Sequence, residues 1–249
     1  MKAIILAAGY ATRLHPLTLH TPKPLLDIGG RTILDRLLDR LTPFETLDIV
    51  YVVTNAKFAP HFREWGAQTR RRFDVQIVDD GTTDNDRRLG AIADVQFVIK
   101  TAGVDDDLIV AAGDNVFLND FHEMARFFAQ TEADVILAQC IDDPARLRQR
   151  GVVEFDGQRR VIGFEEKPKH PRSEYVCPAL YLHKRRRVPL YGHYLSEGGN
   201  PDAPGHFIRW LYRRAPLVAY VLAQPSLDIG TLATYERVQQ ELAEGRLIF

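Results

Sequence analysis

Residues 6–30 contain the densest set of groups suited to binding phosphate. An apolar run ends there in small residues, which let backbone N–H groups come close to a ligand. The loop that follows carries Arg13 and Lys23, whose N–H donors suit phosphate oxygens, and prolines on both sides of Lys23 restrict its backbone. The segment therefore predicts a phosphate-binding loop. Its candidate backbone contacts are Leu6, Ala7, Ala8 and Gly9.

This loop does not follow the common nucleotide-binding motifs. It is neither GxGxxG nor GxxxxGK[ST], so the sequence does not support Rossmann dinucleotide binding or P-loop hydrolysis. The chain also lacks a convincing Ser/His/Asp set, nucleophile elbow or zinc motif. A tight turn explains Gly9 taken singly, but two cations in one loop favour a ligand.

Two aspartates that follow apolar runs are candidate metal ligands. Asp114 comes directly after the run 108–112, and Asp228 follows the last predicted strand. Ligands of open α/β sheets bind at the carboxyl ends of the strands, and carboxylate oxygens are typical ligands of Mg²⁺. The pattern is compatible with one Mg²⁺ held by both, whereas two separate turns explain either aspartate slightly better when it is taken alone.

Strands that alternate with helices must position these residues. Strands are predicted at 3–8, 49–54, 75–78 and 108–112, and helices at 33–41, 60–68, 89–100 and 120–130. Thr32 and Asp35 predict a capping box at the first helix. Strands that are apolar on both faces indicate a mostly parallel sheet covered by helices, so the predicted class is α/β and Rossmann-like.

The alternation of strands and helices stops after about residue 133. Strands at 135–140, 152–155, 161–165 and 176–182 follow one another without long helices. A Gly/Pro/Asn-rich loop at 196–205, a helix at 206–213, a strand at 217–223 and a helix at 232–243 complete the prediction. We expect one domain over 1–249 with two parts, about 1–132 and about 133–249, the second of which carries an acceptor site.

Taken together, these motifs resemble a known family. The segment LAAGYATRLHPLTLHTPKPLLDIGG is similar to the signature of sugar-1-phosphate nucleotidylyltransferases, LAAG-x-G-T-R-L-x-P-L-T followed by PKP-L. It departs from that signature at Ala11, where the family usually has glycine. Further matches occur in the family's order, so the resemblance covers almost the whole chain. They are Gly113-Asp114-Asn115, Gly151-Val152-Val153, Glu166-Lys167-Pro168 and Asp228-Ile229-Gly230-Thr231.

The resemblance implies a GT-A-like fold and Mg²⁺-dependent transfer of a nucleotidyl group from an NTP to a sugar-1-phosphate, giving an NDP-sugar and pyrophosphate. It implies that Arg13 holds the NTP phosphates and that Lys23 holds the α-phosphate, both as catalytic groups. It places Lys167 on the acceptor phosphate and Glu166 on the sugar hydroxyls. The remaining implied contacts are Gly81, Gly90 and Asp114 with the nucleotide, Gly151 and Asn200 with the sugar phosphate, and Asp114 and Asp228 with Mg²⁺.

The base and the acceptor stay open at this point. Residues 80–90 lie where the family recognises the base, but they do not match the sequence motif usual in thymidylyltransferases. Asn85 and Arg88 suit hydrogen bonds to a base edge, and a role of Asn85 in shaping a turn is equally compatible. Residues 198–202 lack the arginine that often holds the sugar phosphate in relatives making thymidine-diphosphate sugars, and Pro178-Ala179 replaces a common Thr-Gly. Two alternatives are a cytidylyltransferase acting on a phosphorylated alcohol, such as phosphocholine or inositol phosphate, and a catalytically silent regulatory homologue.

Composition limits the other partners. The 32 Lys+Arg and 33 Asp+Glu of the 249 residues give a net charge of −1, which argues against nucleic acid, and we expect solvated faces for the basic clusters 70–72 and 184–187. Apolar runs are too short for the ~20 residues that span a membrane. Two cysteines without CxxC spacing and no targeting segment indicate the cytoplasm. We expect no appended hexapeptide-repeat domain, and homo-oligomerisation stays open.

Overall fold

The computed structural model describes residues 1–247. Its strands are β1 (Lys2–Leu6), β2 (Asp27–Ile28), β3 (Arg31–Thr32), β4 (Ile49–Thr54), β5 (Asp74–Asp79), β6 (Leu108–Ala112), β7 (Asn115–Phe117), β8 (Asp134–Cys140), β9 (Gly151–Phe155), β10 (Val161–Glu166), β11 (Tyr175–Val176), β12 (Leu180–His183), β13 (Leu217–Val221) and β14 (Ser226–Asp228). Its α-helices are α1 (Ile33–Arg40), α2 (Ala59–Gln68), α3 (Ala91–Ala102), α4 (His122–Gln130), α5 (Pro144–Leu147), α6 (Leu190–Ser196), α7 (Pro204–Leu211) and α8 (Leu232–Ala243).

The large sheet confirms the predicted α/β class. Strands β6, β1, β4 and β5 are parallel neighbours, and β12 pairs antiparallel with β6. Strand β8 pairs with β12 and, in parallel, with β13, while β11, β9 and β10 extend the sheet by antiparallel pairing. The sheet therefore contains strands from both predicted halves of the chain. The carboxyl ends of β1 and β6 lie side by side at its centre, where we predicted ligand binding.

Buried side chains on both faces explain why helices cover the sheet. In β1, Ala3 and Ile5 pack into one core with α1 and α2, whereas Ile4 packs into a second core with α3, α6 and α7.

The start of α1 confirms the predicted capping box. Thr32 Oγ1 accepts a hydrogen bond from the Asp35 amide at 3.0 Å and donates to the Asp35 carboxylate at 2.7 Å.

Three differences from the predicted elements bear on the site. The predicted strand 176–182 is interrupted between β11 and β12, because Pro178 has no N–H to continue a ladder. Helix α6 had no sequence signal of its own. The last strand of the large sheet ends at Val221, and Asp228 lies instead on β14, which pairs with β7 in a separate two-stranded sheet.

The first basic cluster differs from the predicted solvated face. The guanidinium of Arg71 is largely buried and lies 3.0 Å from Asp35 and 2.5 Å from Asp39, so it joins β5 to α1. The second cluster, 184–187, consists of cations that each pair with an acidic residue. These pairs are Lys184 with Asp107, Arg185 with Asp105, Arg186 with Glu132 and Arg187 with Asp134. Within residues 1–247, no helix has the length and apolar character needed to cross a bilayer.

Candidate active site

A cavity of about 250 Å³ lies at the carboxyl ends of β1 and β6. The backbone holds these ends together, because Gly113 N donates to Leu6 O at 2.9 Å and Ala112 N donates to Ala179 O at 2.8 Å. Both predicted cations and one predicted aspartate line the cavity. Its lining includes Leu6, Ala7, Gly9, Arg13, Lys23, Asp114, Ala179 and Gly230.

Lys23 is the central charge of this site. It begins a 3₁₀ turn, Lys23–Leu25, and only 9% of its side chain is exposed. Its Nζ lies 2.7 Å from Asp114 Oδ2 and 3.7 Å from Asp228 Oδ1. Pro22 is extended directly before this turn and Pro24 lies within it, so proline rings restrict the backbone on both sides of Lys23. One buried cation therefore neutralises two aspartates from distant parts of the sequence.

The short ribbon of β7 and β14 brings these aspartates together. Asp114 connects β6 to β7, and the antiparallel register pairs Asp228 with Asn115, the residue next to Asp114. Val116 and Ile229 anchor the ribbon in a small core with α8. Asp228 therefore reaches the edge of the large sheet without belonging to it.

The pair Asp114 and Asp228 has the chemistry of a Mg²⁺ site. Both carboxylates contact the same ammonium, so they converge on a place where a positive charge already lies. Their side chains are 38% and 39% exposed, which leaves them open to a ligand beyond Lys23. Hard oxygen donors at the end of a phosphate-binding loop suit Mg²⁺, so these residues fit the predicted metal.

Arg150 is a site residue that the sequence analysis missed. Its Nη2 lies 3.3 Å from Asp228 Oδ2, and its carbonyl accepts a hydrogen bond from Lys167 N at 3.1 Å. It therefore connects the aspartate pair to the predicted acceptor residues. Its position directly before the Gly151 motif was the only signal, since nothing marks it among the neighbouring arginines.

The loop between β1 and Lys23 contains a left-handed alanine. Ala11 has φ +46° and ψ +42°, a conformation that favours glycine, and this explains the glycine of the family signature. Its carbonyl accepts hydrogen bonds from Leu14 N at 2.9 Å and Thr18 Oγ1 at 2.8 Å, which hold the turn. Arg13 follows on this turn, is exposed, and has no ion-pair partner within residues 1–247. Its donors are therefore available to an anionic ligand.

Glu166 lies in a slot made by two glycines. A Cβ on Gly205 of α7 would come within 1.9 Å of Glu166 Oε2, and one on Gly151 of β9 would come within 3.1 Å. Burial raises the pKa of Glu166, and Lys167 and His206 oppose that rise. No hydrogen-bond donor contacts this carboxylate among the described residues 1–247, so it can accept bonds from a ligand. Gly205 was not singled out from the sequence.

Lys167 follows Glu166 in a constrained backbone. It has φ +50°, a left-handed conformation that is rare for a side-chain-bearing residue and is often found at functional sites. Its N–H bonds Arg150 O, and its side chain is exposed. Lys167 and Glu166 both lie outside the lining of the 250 Å³ cavity, and their contacts with an acceptor stay predictions.

The predicted contacts Gly81, Gly90 and Asn200 do not line that cavity either. Gly81 is exposed, and its N–H bonds Asp79 Oδ1 at 2.9 Å. Gly90, with φ +97°, begins α3 so close to Pro201 that a Cβ would meet Pro201 O at 2.6 Å. Asn200 uses its Oδ1 to accept from Asp202 N at 2.9 Å. Their ligand contacts stay predictions.

The loop at 80–90, predicted to face the base, and the loop at 198–202, predicted to face the acceptor, are joined. The first free N–H groups of α3 are satisfied by the other loop, as Ala91 N donates to Asp202 O at 3.0 Å and Ile92 N donates to Pro201 O at 2.8 Å. Arg88 pairs with Asp202 at 3.2 Å. Arg88, a candidate for the base edge, is therefore held by the loop predicted to face the acceptor.

Comparisons with known proteins agree with this architecture. The sequence matches the nucleotidyl transferase family over residues 2–245. A Sulfolobus acidocaldarius protein provisionally named mannose-1-phosphate guanyltransferase is 32% identical over 247 residues, which cover 97% of this chain and 63% of the relative. The glucose-1-phosphate thymidylyltransferase of Mycolicibacterium smegmatis is 32% identical over 243 residues, which cover 93% of this chain and 78% of the relative.

A solved structure extends the likeness to the fold. A Bacillus anthracis protein, provisionally named glucose-1-phosphate thymidylyltransferase and solved with sucrose, aligns with a TM-score of 0.81 at 25% identity, covering 100% of this chain and 96% of that one. The chain spans 63% of the length of the Sulfolobus relative. The sequence match runs through both cations and both aspartates of the site, and the fold match runs through the sheet that positions them. The chain therefore belongs to the nucleotidyl transferase family.

Proposed function

We propose that this protein transfers a nucleotidyl group from an NTP to a sugar-1-phosphate, giving an NDP-sugar and pyrophosphate. The observation that carries the proposal is the contact of Lys23 with both Asp114 and Asp228 beside the cavity at the ends of β1 and β6. Relatives named for guanylyl and thymidylyl transfer to sugar-1-phosphates support the reaction class and leave the base open.

The reaction needs positioned charge and no general base. A phosphate oxygen of the acceptor attacks the α-phosphorus, a new P–O bond forms, and the bond to the β-phosphate breaks with its electron pair leaving on pyrophosphate. The acceptor phosphate is mostly a dianion at neutral pH because its second pKa is about 6. Arg13 and Lys23 contribute by stabilising the charge that develops on the phosphates.

Asp114 and Asp228 are the residues that would hold Mg²⁺. When bound, this ion neutralises charge on the NTP phosphates. Without ligands, the Lys23 ammonium neutralises both carboxylates. We propose that the same ammonium turns to the α-phosphate oxygens when the NTP binds, while Arg150 keeps Asp228 in place.

The acceptor side of the proposal uses Glu166 and Lys167. The Glu166 carboxylate lies in its glycine slot without a donor from residues 1–247, which suits sugar hydroxyls. Lys167 supplies a nearby exposed cation for the acceptor phosphate. In this proposal, residues from about 1–132 bind the NTP and residues from about 133–249 bind the acceptor, within one domain; residues 248–249 lie outside the described part. We further propose that the protein works in the cytoplasm.

Pyrophosphate release tests the function. Purified protein with Mg²⁺ is assayed with each of ATP, CTP, GTP, UTP and dTTP against a panel of sugar-1-phosphates, phosphocholine and inositol phosphate. Release that requires one NTP and one sugar-1-phosphate supports the proposal. Release with phosphocholine or inositol phosphate instead would assign a phospho-alcohol cytidylyltransferase or its equivalent. Nucleotide binding without release across the panel would support a silent homologue.

A further inference from the structure

A second pair of carboxylates, Asp80 and Asp94, lies outside the cavity. Asp80 follows β5, and Asp94 lies in the first turn of α3, where it is 5% exposed. The two carboxyl groups are in hydrogen-bonding contact with each other. One buried oxygen of each, Asp80 Oδ2 and Asp94 Oδ1, lacks a donor among residues 1–247. A proton on one carboxyl group is the donor that this contact requires.

The pair connects the two ends of the 81–90 loop. At the start of the loop, Asp80 Oδ1 accepts from both Thr82 N and Thr82 Oγ1 at 2.7 Å. The Thr82 carbonyl in turn accepts from Ala56 N at 2.9 Å and the Tyr10 hydroxyl at 3.4 Å. At the end of the loop, Asp94 N donates to Gly90 O at 2.8 Å. The carboxyl contact therefore links the two ends of the loop.

The surroundings favour one negative charge over two. Asp80 is the charged group that acts on Asp94, and burial and that charge raise the pKa of Asp94 to about 7. Burial raises the pKa of Tyr10, and the charges of Asp80 and Asp84 add to that rise. Two buried carboxylates in contact repel each other unless a proton or a cation lies between them.

The elements packed on α3 do not supply that cation. Strands β1 and β4 present Ile4, Leu6, Tyr51 and Val53, and α6 and α7 present Tyr191, Tyr194, Phe207 and Ile208. On α6, His193 pairs at 3.1 Å with Glu197, which directly follows the helix. In α7, His206 acts on Glu166 and Arg209 is exposed.

We propose that Asp80 and Asp94 share a proton and that this proton-bridged pair positions the 81–90 loop for the NTP. Both are positioning residues, because neither lines the cavity. The binding part of this inference rests on the proposed function, whereas the shared proton does not. Loss of the proton places two charges in contact, which separates the ends of the loop and weakens nucleotide binding.

The pH dependence has a definite sign. Asp94 binds its proton more tightly in the folded chain than in the unfolded chain, so the folded state gains stability at low pH. That stability is lost as the pH rises from about 4 to about 7, by up to tenfold in the folding equilibrium per pH unit. Nucleotide affinity is constant below about pH 7 and falls by up to tenfold per unit above it.

The first arm of the test needs no ligand. Urea unfolding is measured between pH 5 and 8.5 for the wild type, Asp94→Asn and Asp80→Asn, each of which replaces a titrating oxygen by an amide donor. The ratio of wild-type to Asp94→Asn folding constants should fall with pH up to about pH 7 and then level off. Asp80→Asn should flatten the curve in the same way. Asp74→Asn, an exposed residue at the other end of β5, is the matched control and should follow the wild type.

The second arm measures binding of the five NTPs by calorimetry in Mg²⁺ buffer and follows the tightest one. Its Kd for the wild type should rise above pH 7 relative to Asp94→Asn, and this ratio cancels the titration of the NTP itself. Parallel stability curves for wild type and Asp94→Asn would overturn the shared proton. A pH-dependent stability difference with a constant Kd ratio would overturn the positioning role. Absence of NTP binding at every pH would refute the proposed function while leaving the stability arm to decide the proton.

Discussion

The molecule contains two carboxylate pairs in which the repulsion between the two negative charges is offset in different ways. Asp114 and Asp228 are partly exposed and share the ammonium of Lys23, with Arg150 as a second cation. Asp80 and Asp94 are in contact without a cation from residues 1–247, and Asp94 is almost fully buried. A pair neutralised by a mobile side chain can release that side chain to a ligand, whereas a pair neutralised by a proton is tied to pH. The first pair suits chemistry and the second suits positioning.

Removing the cation from the first pair should have the largest effect. Lys23→Met keeps the length of the side chain but leaves Asp114 and Asp228 without their shared ammonium. Loss of one charged donor to a transition state costs about 3–4 kcal/mol, so turnover should fall roughly 10²–10³-fold. Steady-state pyrophosphate release measures this, and circular dichroism checks that the fold is retained. Near-normal turnover would remove Lys23 from the chemistry.

The next effect separates the two pairs by their metal dependence. Asp228→Asn and Asp114→Asn should each raise the Mg²⁺ concentration needed for half-maximal rate by at least roughly tenfold, because each removes a carboxylate from the metal site. Asp80→Asn, measured at saturating NTP, should leave that concentration unchanged. A Mg²⁺ titration of all three variants decides the point. Equal shifts in all three would mean that the metal does not distinguish the pairs.

A third carboxylate, Glu166, sharpens the comparison because no hydrogen-bond donor from residues 1–247 contacts it, although Lys167 and His206 lie close enough to act on its charge. Gly205→Ala places a methyl group where Glu166 Oε2 lies, so the carboxylate must move. A lost hydrogen bond to a charged group costs about 1.5–3 kcal/mol, so kcat/KM for the acceptor should fall roughly tenfold or more, with the KM for NTP unchanged. Gly157→Ala, where a Cβ meets nothing within 4 Å, is the control. An equal loss for NTP would contradict the assignment.

The smallest effect concerns the loop that carries Arg13 and Lys23. Ala11→Gly should stabilise the fold by up to about 1 kcal/mol, because the left-handed conformation is costly for alanine and the greater freedom of unfolded glycine offsets only part of that cost. The midpoint of urea unfolding measures it. A lower midpoint would show that the turn carries no strain at Ala11.

The sequence predicted the elements that local patterns determine. The strand β4 and the terminal helix α8 have the predicted bounds, and the Thr32 capping box is present. Arg13 and Lys23, the two cations of the predicted loop, both line the cavity at the ends of β1 and β6. These features depend on periodicity and on residues close in the chain, which a single sequence displays directly.

Features that depend on distant pairing were not predictable in the same way. Nothing in the residues around Asp228 shows that β14 pairs with β7, and Arg150 became visible only through that pairing. The slot for Glu166 needs Gly205 from another element, and the partner of Asp94 lies across the 81–90 loop. Such contacts are set by tertiary packing, which propensity does not encode.

The ribbon of β7 and β14 also means that the proposed active site is complete only after a long-range contact of the chain has formed. Asp114 lies near the middle of the 249-residue sequence and Asp228 lies near its end. Within residues 1–247, the three-residue ribbon is the strand pairing that brings their neighbours together. A chain whose last hundred residues had not yet folded could form β1, β4, β5 and β6 but would hold a single carboxylate. Onset of activity during refolding should therefore coincide with closure of this long-range contact and lag behind formation of the parallel strands.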